Sequence, residues 1–531
     1  MASIEKSATI SDAAPRAGDS FEDDSHIVKK GTSADQLDMR RMGKVQEVRR
    51  DFRTVSMFGF SLILMCSWEG ILSTASLGLG NGGSAGVLYT NLATWIGFIA
   101  VYASLGEMGS MAPTSGGQYH WVSEFAPRKH QKFLSYIVGW LGVLGWQTGV
   151  AFSGFLVGTQ IQGLLVLNYE CDCGYIAQRW HGTLLILGML ALAVLFNTFL
   201  AHSLPLLEYI VLVIHLLGFL CILIPLWVLA PKTPSAQVWT TFVNPGWSSQ
   251  GLSCLVGIVA SVAPLLGADA AAHMAEELTD AAWTLPRVMT VATVLNGALM
   301  WIMLITICYC IGDAESVLTT PTGYPFIQIF YNTTDSLAAA NTMTALIIIL
   351  SACSCITVMA GSSRQLYAFA RDHGVPFGAW VAKVRPGLDV PVNSLIVSFL
   401  FAAIIALINI GSTVAFNSVT SLGTGTLTIS YIICISCMVW RRISGKEILQ
   451  SRFDLGKTFG LAINLVALGF LSLVFCVSFF PPFPASAGLN VVSMNWSILI
   501  FGVVVLFSIC YFLAVGRKNY VGPVRYVRRL Q

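Results

Sequence analysis

The chain has 531 residues, of which 55% are hydrophobic and only 11% charged, and its formal net charge is +3. Soluble globular proteins carry about 25% charged residues. At a mean hydropathy of +0.71, the composition excludes a soluble enzyme, a disordered protein and a nucleic-acid binder, and leaves an all-α polytopic membrane protein.

The first 52 residues are polar and charged and hold no apolar run of the kind a signal peptide needs. They predict a disordered cytosolic tail. Twelve apolar runs of about membrane-spanning length follow. They fall near 55–80, 86–111, 133–166, 183–201, 205–229, 252–276, 288–311, 340–368, 393–410, 413–440, 459–480 and 491–515. Residues 53–516 thus read as one twelve-helix domain, and 517–531 as a second cytosolic tail. With the N-terminus inside, the tails and the loops after the even-numbered spans collect every Lys and Arg except Arg179 and Lys232. This asymmetry places both termini in the cytosol of an integral membrane protein, with the plasma membrane as the expected bilayer. The stretch 312–339 carries Asp313, Glu315 and Asp335 but no basic residue. It also holds the sequon Asn332-Thr333-Thr334, which makes Asn332 a glycosylation candidate on the opposite side. A second sequon, at Asn495, lies too close to the membrane.

Two spans carry breaking and acidic residues at their middle. Span 1 reads Ser67-Trp68-Glu69-Gly70-Ile71, and span 6 reads Pro264-Leu265-Leu266-Gly267-Ala268-Asp269-Ala270. An Asp at this depth costs roughly 2.5–3.5 kcal/mol on insertion scales. Irregular backbone there is tolerated only when it is buried in protein or lines a cavity. Spans 1 and 6 are equivalent if spans 1–5 and 6–10 form inverted repeats, a pattern that marks a binding site at the midplane. Half-helix N-termini would receive a carboxylate, and Glu69 or Asp269 a cationic amine. Trp146 and Gln147 lie mid-span 3, where a Trp either closes over an ammonium or packs against a neighbouring helix. Gly139, Gly142 and Gly145 read as helix packing, as do the small residues 351–355 of span 8. On span 5, Glu208 and His215 share a helical face.

Of the 13 cysteines, Cys171 and Cys173 are too close for an unstrained disulfide, and the others read as core packing. No metal-ligand spacing, nucleophile triad or phosphate loop is present. Neither a metal, a cofactor nor an enzymatic activity is expected.

Four stretches carry a resemblance. They are Ser67–Ile71, Gly106-Glu107-Met108 through Pro113–Tyr119, His273–Glu277 through Leu285-Pro286-Arg287, and Ser363–Asp372 with Pro376. Over about residues 50–516 the chain resembles the amino acid–polyamine–organocation superfamily, and within it the fungal amino acid/choline/γ-aminobutyrate permeases. The resemblance implies a five-plus-five inverted repeat with broken helices 1 and 6, two further helices, and secondary active transport. A small zwitterionic or cationic substrate would bind Ser67, Trp68, Glu69, Gly70 and Ile71 on one side and Leu266, Gly267, Ala268, Asp269 and Ala270 on the other, with Trp146 and Gln147 nearby. Protons are the implied coupling ion, with Glu69, Asp269 and His215 as carriers; His215 alternatively bonds a neighbouring carbonyl. By analogy, Glu276, Arg364 and Arg371 form a cytoplasmic gate, and Glu107 joins it or makes a structural ion pair. Many bacterial relatives have small residues in span 1, so bulky Trp68 and charged Glu69 favour a cationic or ω-amino substrate. A nutrient sensor and an exporter of a specialised metabolite are the alternatives.

Overall fold

The computed structural model describes residues 31–169, 175–411, 413–484 and 494–523, with backbone alone for 413–420. Cys171, Cys173, the first 30 residues and the end of the C-terminal tail lie outside them. Among the described residues, eleven helices are long and apolar enough to cross a membrane. The first, Thr54–Met111, runs for 58 residues. At about 1.5 Å per residue it is far longer than a hydrocarbon core of about 30 Å. It folds back at Gly83, where φ is 68° and ψ is −172°. A Cβ on Gly78 would meet Val87 at 2.5 Å, although a straight helix would hold those residues about 13 Å apart. This helix therefore supplies spans 1 and 2, and the described residues make twelve passes.

Span 3 is Gln131–Tyr169, span 4 Arg179–Phe199, span 5 Leu204–Leu229 and span 6 Gln250–His273. Span 7 is Ala281–Cys310, span 8 Leu337–Arg371, span 9 Val392–Gly411, span 10 Thr413–Ile443, span 11 Lys457–Val477 and span 12 Ser497–Asn519. Span 7 starts earlier than its hydropathy predicts. Pro286 lies inside this helix, and the Ala282 carbonyl that its missing N–H would serve accepts the Ser110 hydroxyl of span 2 at 2.7 Å instead. Asp372-His373-Gly374 closes span 8, with His373 in the left-handed region at φ 59°.

Close packing follows the glycines of span 3. A Cβ would lie 2.2 Å from the Phe369 ring at Gly139, 2.9 Å from Gln365 at Gly142 and 2.6 Å from Leu427 at Gly145. Spans 8 and 10 therefore press onto span 3. The buried positions of span 5 include Glu208, Val211, His215, Gly218 and Ile222, one helical stripe. Asn332 is exposed on the helix Pro325–Thr334 between spans 7 and 8. The Asn495 side chain is taken up by the carbonyls of Ser478 and Phe480, both at 3.1 Å.

The N-terminal segment departs from the expectation of disorder to residue 52. From Thr32 onward the chain is folded against the ends of spans 2, 6, 7 and 8, a surface called here the N-terminal face. Thr32 and Asp35 form a capping box on the helix Ser33–Arg41. Asp35 and Arg50 are buried 3.4 Å apart. Asp35 also accepts the N–H groups of Asp280 and Ala281, at 2.9 and 3.1 Å, at the start of span 7. Charges that hydropathy assigns to solvent are used here to satisfy helix ends.

Gly59 has a backbone neighbour: a Cβ there would fall 2.7 Å from the Glu208 carbonyl oxygen. Gly59→Ala is expected to push span 1 off span 5 and to destabilise the protein by about 1–3 kcal/mol. Thermal unfolding in detergent reads this as a lower midpoint, and an unchanged midpoint would refute the contact.

Candidate functional site

The break in span 1 is a single residue. Helix Thr54–Met65 ends at Cys66, which takes left-handed angles (φ 46°, ψ 49°), and a second helix starts at Ser67. Sequence reasoning placed the break within Ser67–Ile71, with Gly70 as its breaking residue. Gly70 is instead helical, and its lack of a Cβ admits Pro264 of span 6, which a Cβ would meet at 3.1 Å. The break in span 6 is wider. After Ala263–Leu265 the chain extends at Leu266, turns through Gly267 at φ 112°, and resumes helix at Ala270.

Opened helix leaves backbone groups without partners, and in a membrane each must be satisfied within the protein. Tyr102 of span 2 serves the span 6 break. Its hydroxyl donates to the Leu265 carbonyl at 3.1 Å and accepts from the Gly267 and Ala268 N–H groups at 2.7 and 3.3 Å. The Ser67 hydroxyl donates to the Pro264 carbonyl at 2.6 Å. At the span 1 break, Ser354 of span 8 donates to the Leu64 carbonyl at 2.9 Å, and Asn296 of span 7 adds a second donor, at 3.0 Å, to the Leu62 carbonyl that the Cys66 N–H meets at 3.1 Å.

Each break is followed by a fully buried carboxyl group, and the two groups belong to separate clusters. Glu69 Oε1 lies 2.7 Å from His215 Nδ1 of span 5. The Trp68 indole N–H points at the same nitrogen from 3.2 Å. Nδ1 cannot accept from Trp68 and donate to Glu69 at once. Either Glu69 carries a proton and donates it to Nδ1, or Nδ1 carries the proton and donates it to a Glu69 carboxylate. Glu69 Oε2 and His215 Nε2 are buried without a hydrogen-bond partner among the described residues. Trp68 packs edge-on against Phe219 at 5.7 Å and so faces span 5.

Asp269 faces span 10. One oxygen accepts from the Tyr431 hydroxyl, and the other from the Gln118 amide at 2.7 Å. His273 Nε2 is 3.8 Å away. Trp146 stands edge-on to the His273 ring at 5.6 Å, and a Cβ on Gly267 would lie 3.5 Å from the Trp146 ring. Trp146 therefore abuts the break. Gln147, expected beside it, is committed elsewhere: its amide donates to Ser398 of span 9 at 2.9 Å. Ile71, Ala268 and Ala270 are buried and Leu266 half-buried. Glu208 receives the Thr357 hydroxyl of span 8 at 3.1 Å.

The ionic candidates divide into three groups at the N-terminal face. Arg371 grips Glu276 with two parallel hydrogen bonds of 2.9 and 2.6 Å, the fork geometry favoured by guanidinium and carboxylate. Arg364 donates to Glu277 at 2.8 Å. Both pairs join the end of span 6 to span 8. Glu107 does not take part. It pairs with Arg442 of span 10 and accepts the Leu455 N–H at 3.1 Å, anchoring the loop between spans 10 and 11. Lys44 pairs with Asp372; burial pulls its ammonium below the ordinary value, and Asp372 opposes that shift. Sequence reasoning missed Tyr102, Asn296 and Tyr431, and gave Glu277 no gate role although His273–Glu277 was among the stretches singled out. Tyr102 and Asn296 carry no local signal, whereas Gln118 lies in a stretch already singled out. Among the described residues no group of His, Cys, Asp and Glu is arranged to hold a metal ion. A cavity of 610 Å³ lies apart from both breaks, between the end of span 8 and span 12, lined by residues that include Phe377, Trp380 and Asn519.

Comparison with known proteins gives a consistent result. The family model described as amino acid permease matches residues 52–506. A Macrophomina phaseolina protein named as an amino acid/polyamine transporter is 32% identical over 448 residues, covering 83% of this chain and 96% of the relative. The choline transporter of Saccharomyces cerevisiae is 28% identical, covering 89% of this chain and 83% of its own. An amino-acid permease of Arabidopsis thaliana is 27% identical, covering 92% and 96%.

Tyr102→Phe keeps the ring stacked on Phe98 but strips the partner from two buried N–H groups. The expected cost is about 1–3 kcal/mol, seen as a lowered unfolding midpoint of the purified protein. Retention of the parent midpoint would show that the hydroxyl does not hold the break.

Proposed function

The chain belongs to the amino acid permease family, and from that premise we propose proton-coupled uptake of an amino acid or a related amine such as γ-aminobutyrate or choline. The substrate binds between the breaks of spans 1 and 6, at Ser67–Ile71 and Leu266–Ala270, with Trp146 as the wall from span 3. Gln147 drops out of this set because span 9 holds it. The N-terminal face is the cytosolic one on this reading, supported by the distribution of basic residues, and the membrane is the plasma membrane. Glu276–Arg371 and Glu277–Arg364 form the cytosolic gate, and Glu107 is a structural anchor.

The observation that carries proton coupling is the Glu69–His215 contact. Two titratable groups lie fully buried 2.7 Å apart, one on the broken helix and one on span 5. A single proton has two resting places there, and moving it changes the charge on a helix that must move. Asp269 supports a cationic or zwitterionic substrate. Its hydrogen-bonding partners, Tyr431 and Gln118, are uncharged, so a substrate ammonium would supply the missing counter-charge.

Cells expressing the protein are expected to accumulate labelled γ-aminobutyrate, choline or an amino acid saturably, and to lose that uptake with a protonophore. Uptake that survives the protonophore would reject proton coupling. Absence of uptake from protein present at the surface would favour a sensor or an exporter. Glu69→Gln preserves volume and removes the charge. It is expected to reach the surface at the parent level and to lose most uptake, and parent-level transport by this variant would remove Glu69 from the coupling site.

A further inference from the structure

The N-terminal segment makes contacts that neither family membership nor the transport reading explains. Residues 32–52 lead directly into span 1 at Thr54. The Arg41 guanidinium donates to the Met111 carbonyl at the end of span 2. Lys44 pairs with Asp372 at the end of span 8, and the same carboxylate accepts from Tyr119 at 3.0 Å. The Gln46 amide donates to the Glu276 carbonyl at 2.7 Å. Glu47 accepts the Tyr367 hydroxyl at 2.8 Å, and that hydroxyl in turn receives Arg371 at 3.2 Å. Arg50 donates to the Ala275 carbonyl at 3.1 Å and to that of Leu278. Phe52 exchanges backbone hydrogen bonds of 3.0 and 2.9 Å with Glu277 and Thr279.

These contacts share one property: they tie the start of span 1 and the end of span 6 to the ends of spans 2 and 8. The Glu276–Arg371 pair closes the same seam. The segment lies on the gate and adds a second layer, and its Tyr367 contact is wired into the gate arginine itself. An outward displacement of the first half of span 1 would break the Phe52 and Arg50 bonds together. Release of the gate pair would disturb the Glu47 and Lys44 contacts. Lys44 and Asp372 are both buried, so the segment lifts only when this ion pair separates and its charges are rehydrated.

We propose that residues 32–52 form a latch that locks the N-terminal face shut, and that opening on this face requires the latch to come off. The latch is a regulatory device of the chain itself. Anything that competes for Lys44, Glu47 or Arg50 would set the fraction of molecules free to open.

The first test needs no substrate, so an absent latch and a wrong substrate assignment give different results. Ser115, whose N–H meets Glu276 at 3.3 Å, becomes a reporter as Ser115→Cys in the full chain, in membranes open on both sides. Modification by an impermeant maleimide is measured against the chain without the reporter. Lys44→Glu is expected to raise the rate about tenfold, within the usual range of coupling between sites. An unchanged rate in folded protein, judged by gel filtration, overturns the proposal. In the second test, Lys44→Cys and Asp372→Cys are joined by a short bis-methanethiosulfonate reagent, with each single variant treated alike. Loss of transport on cross-linking and its return on reduction support the latch. Parent-level transport by the cross-linked chain, relative to the treated single variants, overturns it.

Discussion

A backbone group without a partner in hydrocarbon costs several kcal/mol. This single constraint organises the centre of the molecule, because both broken helices expose such groups at mid-membrane depth. The repayment comes from neighbouring spans, in a pattern that repeats. Span 2 sends Tyr102 to the break in span 6, and span 7 sends Asn296 to the break in span 1. The acid after the first break turns to span 5, through His215, and the acid after the second turns to span 10, through Tyr431. Spans 1 and 6, 2 and 7, and 5 and 10 thus play matching roles, as two halves built on one plan would. With an odd number of passes in each half, the two copies run in opposite directions.

The same pattern separates two kinds of chemistry that the sequence places together. Glu69 and Asp269 occupy equivalent positions, yet their partners differ. The first meets a titratable imidazole, and the second meets a phenol and an amide. The Glu69–His215 contact joins two titratable groups 2.7 Å apart. Asp269 is hydrogen-bonded by two uncharged groups, with the His273 ring 3.8 Å away. Divergence between the halves of a duplicated architecture has therefore produced two acid sites with distinct electrostatic character at one depth.

Much of the fold was legible because hydropathy and charge placement are read at the scale of whole spans. Twelve runs, two acidic breaks and the glycine face of span 3 all follow from local patterns. The span 5 face of Glu208 and His215 was legible for the same reason, since helical spacing fixes it. Partner identity was not legible. Gln147 and Trp146 are neighbours in sequence but face different helices, and only tertiary packing decides which of them reaches the break. Glu107 was legible as a gate member or a structural ion-pair partner, but its partner Arg442, distant in sequence, was not. The polar N-terminal segment misled for a related reason. Composition reports the average cost of burying charge, whereas Asp35, Lys44 and Arg50 each find a specific partner at a helix end or an opposed charge.

The fold-back at Gly83 has a mechanical consequence. Spans 1 and 2 are joined by one residue with non-helical angles, and Gly78 and Val87 are interlocked beside it. The second half of span 1 therefore has no slack of its own and behaves as one arm of a stiff hairpin with span 2. Through Ser67 and Tyr102, both arms of that hairpin clasp the break in span 6. Within span 1 the helix is interrupted at Cys66, which gives its first half a joint of its own. Motion at the N-terminal end of the helix is thereby decoupled from its far end: one half swings while the other acts as ground.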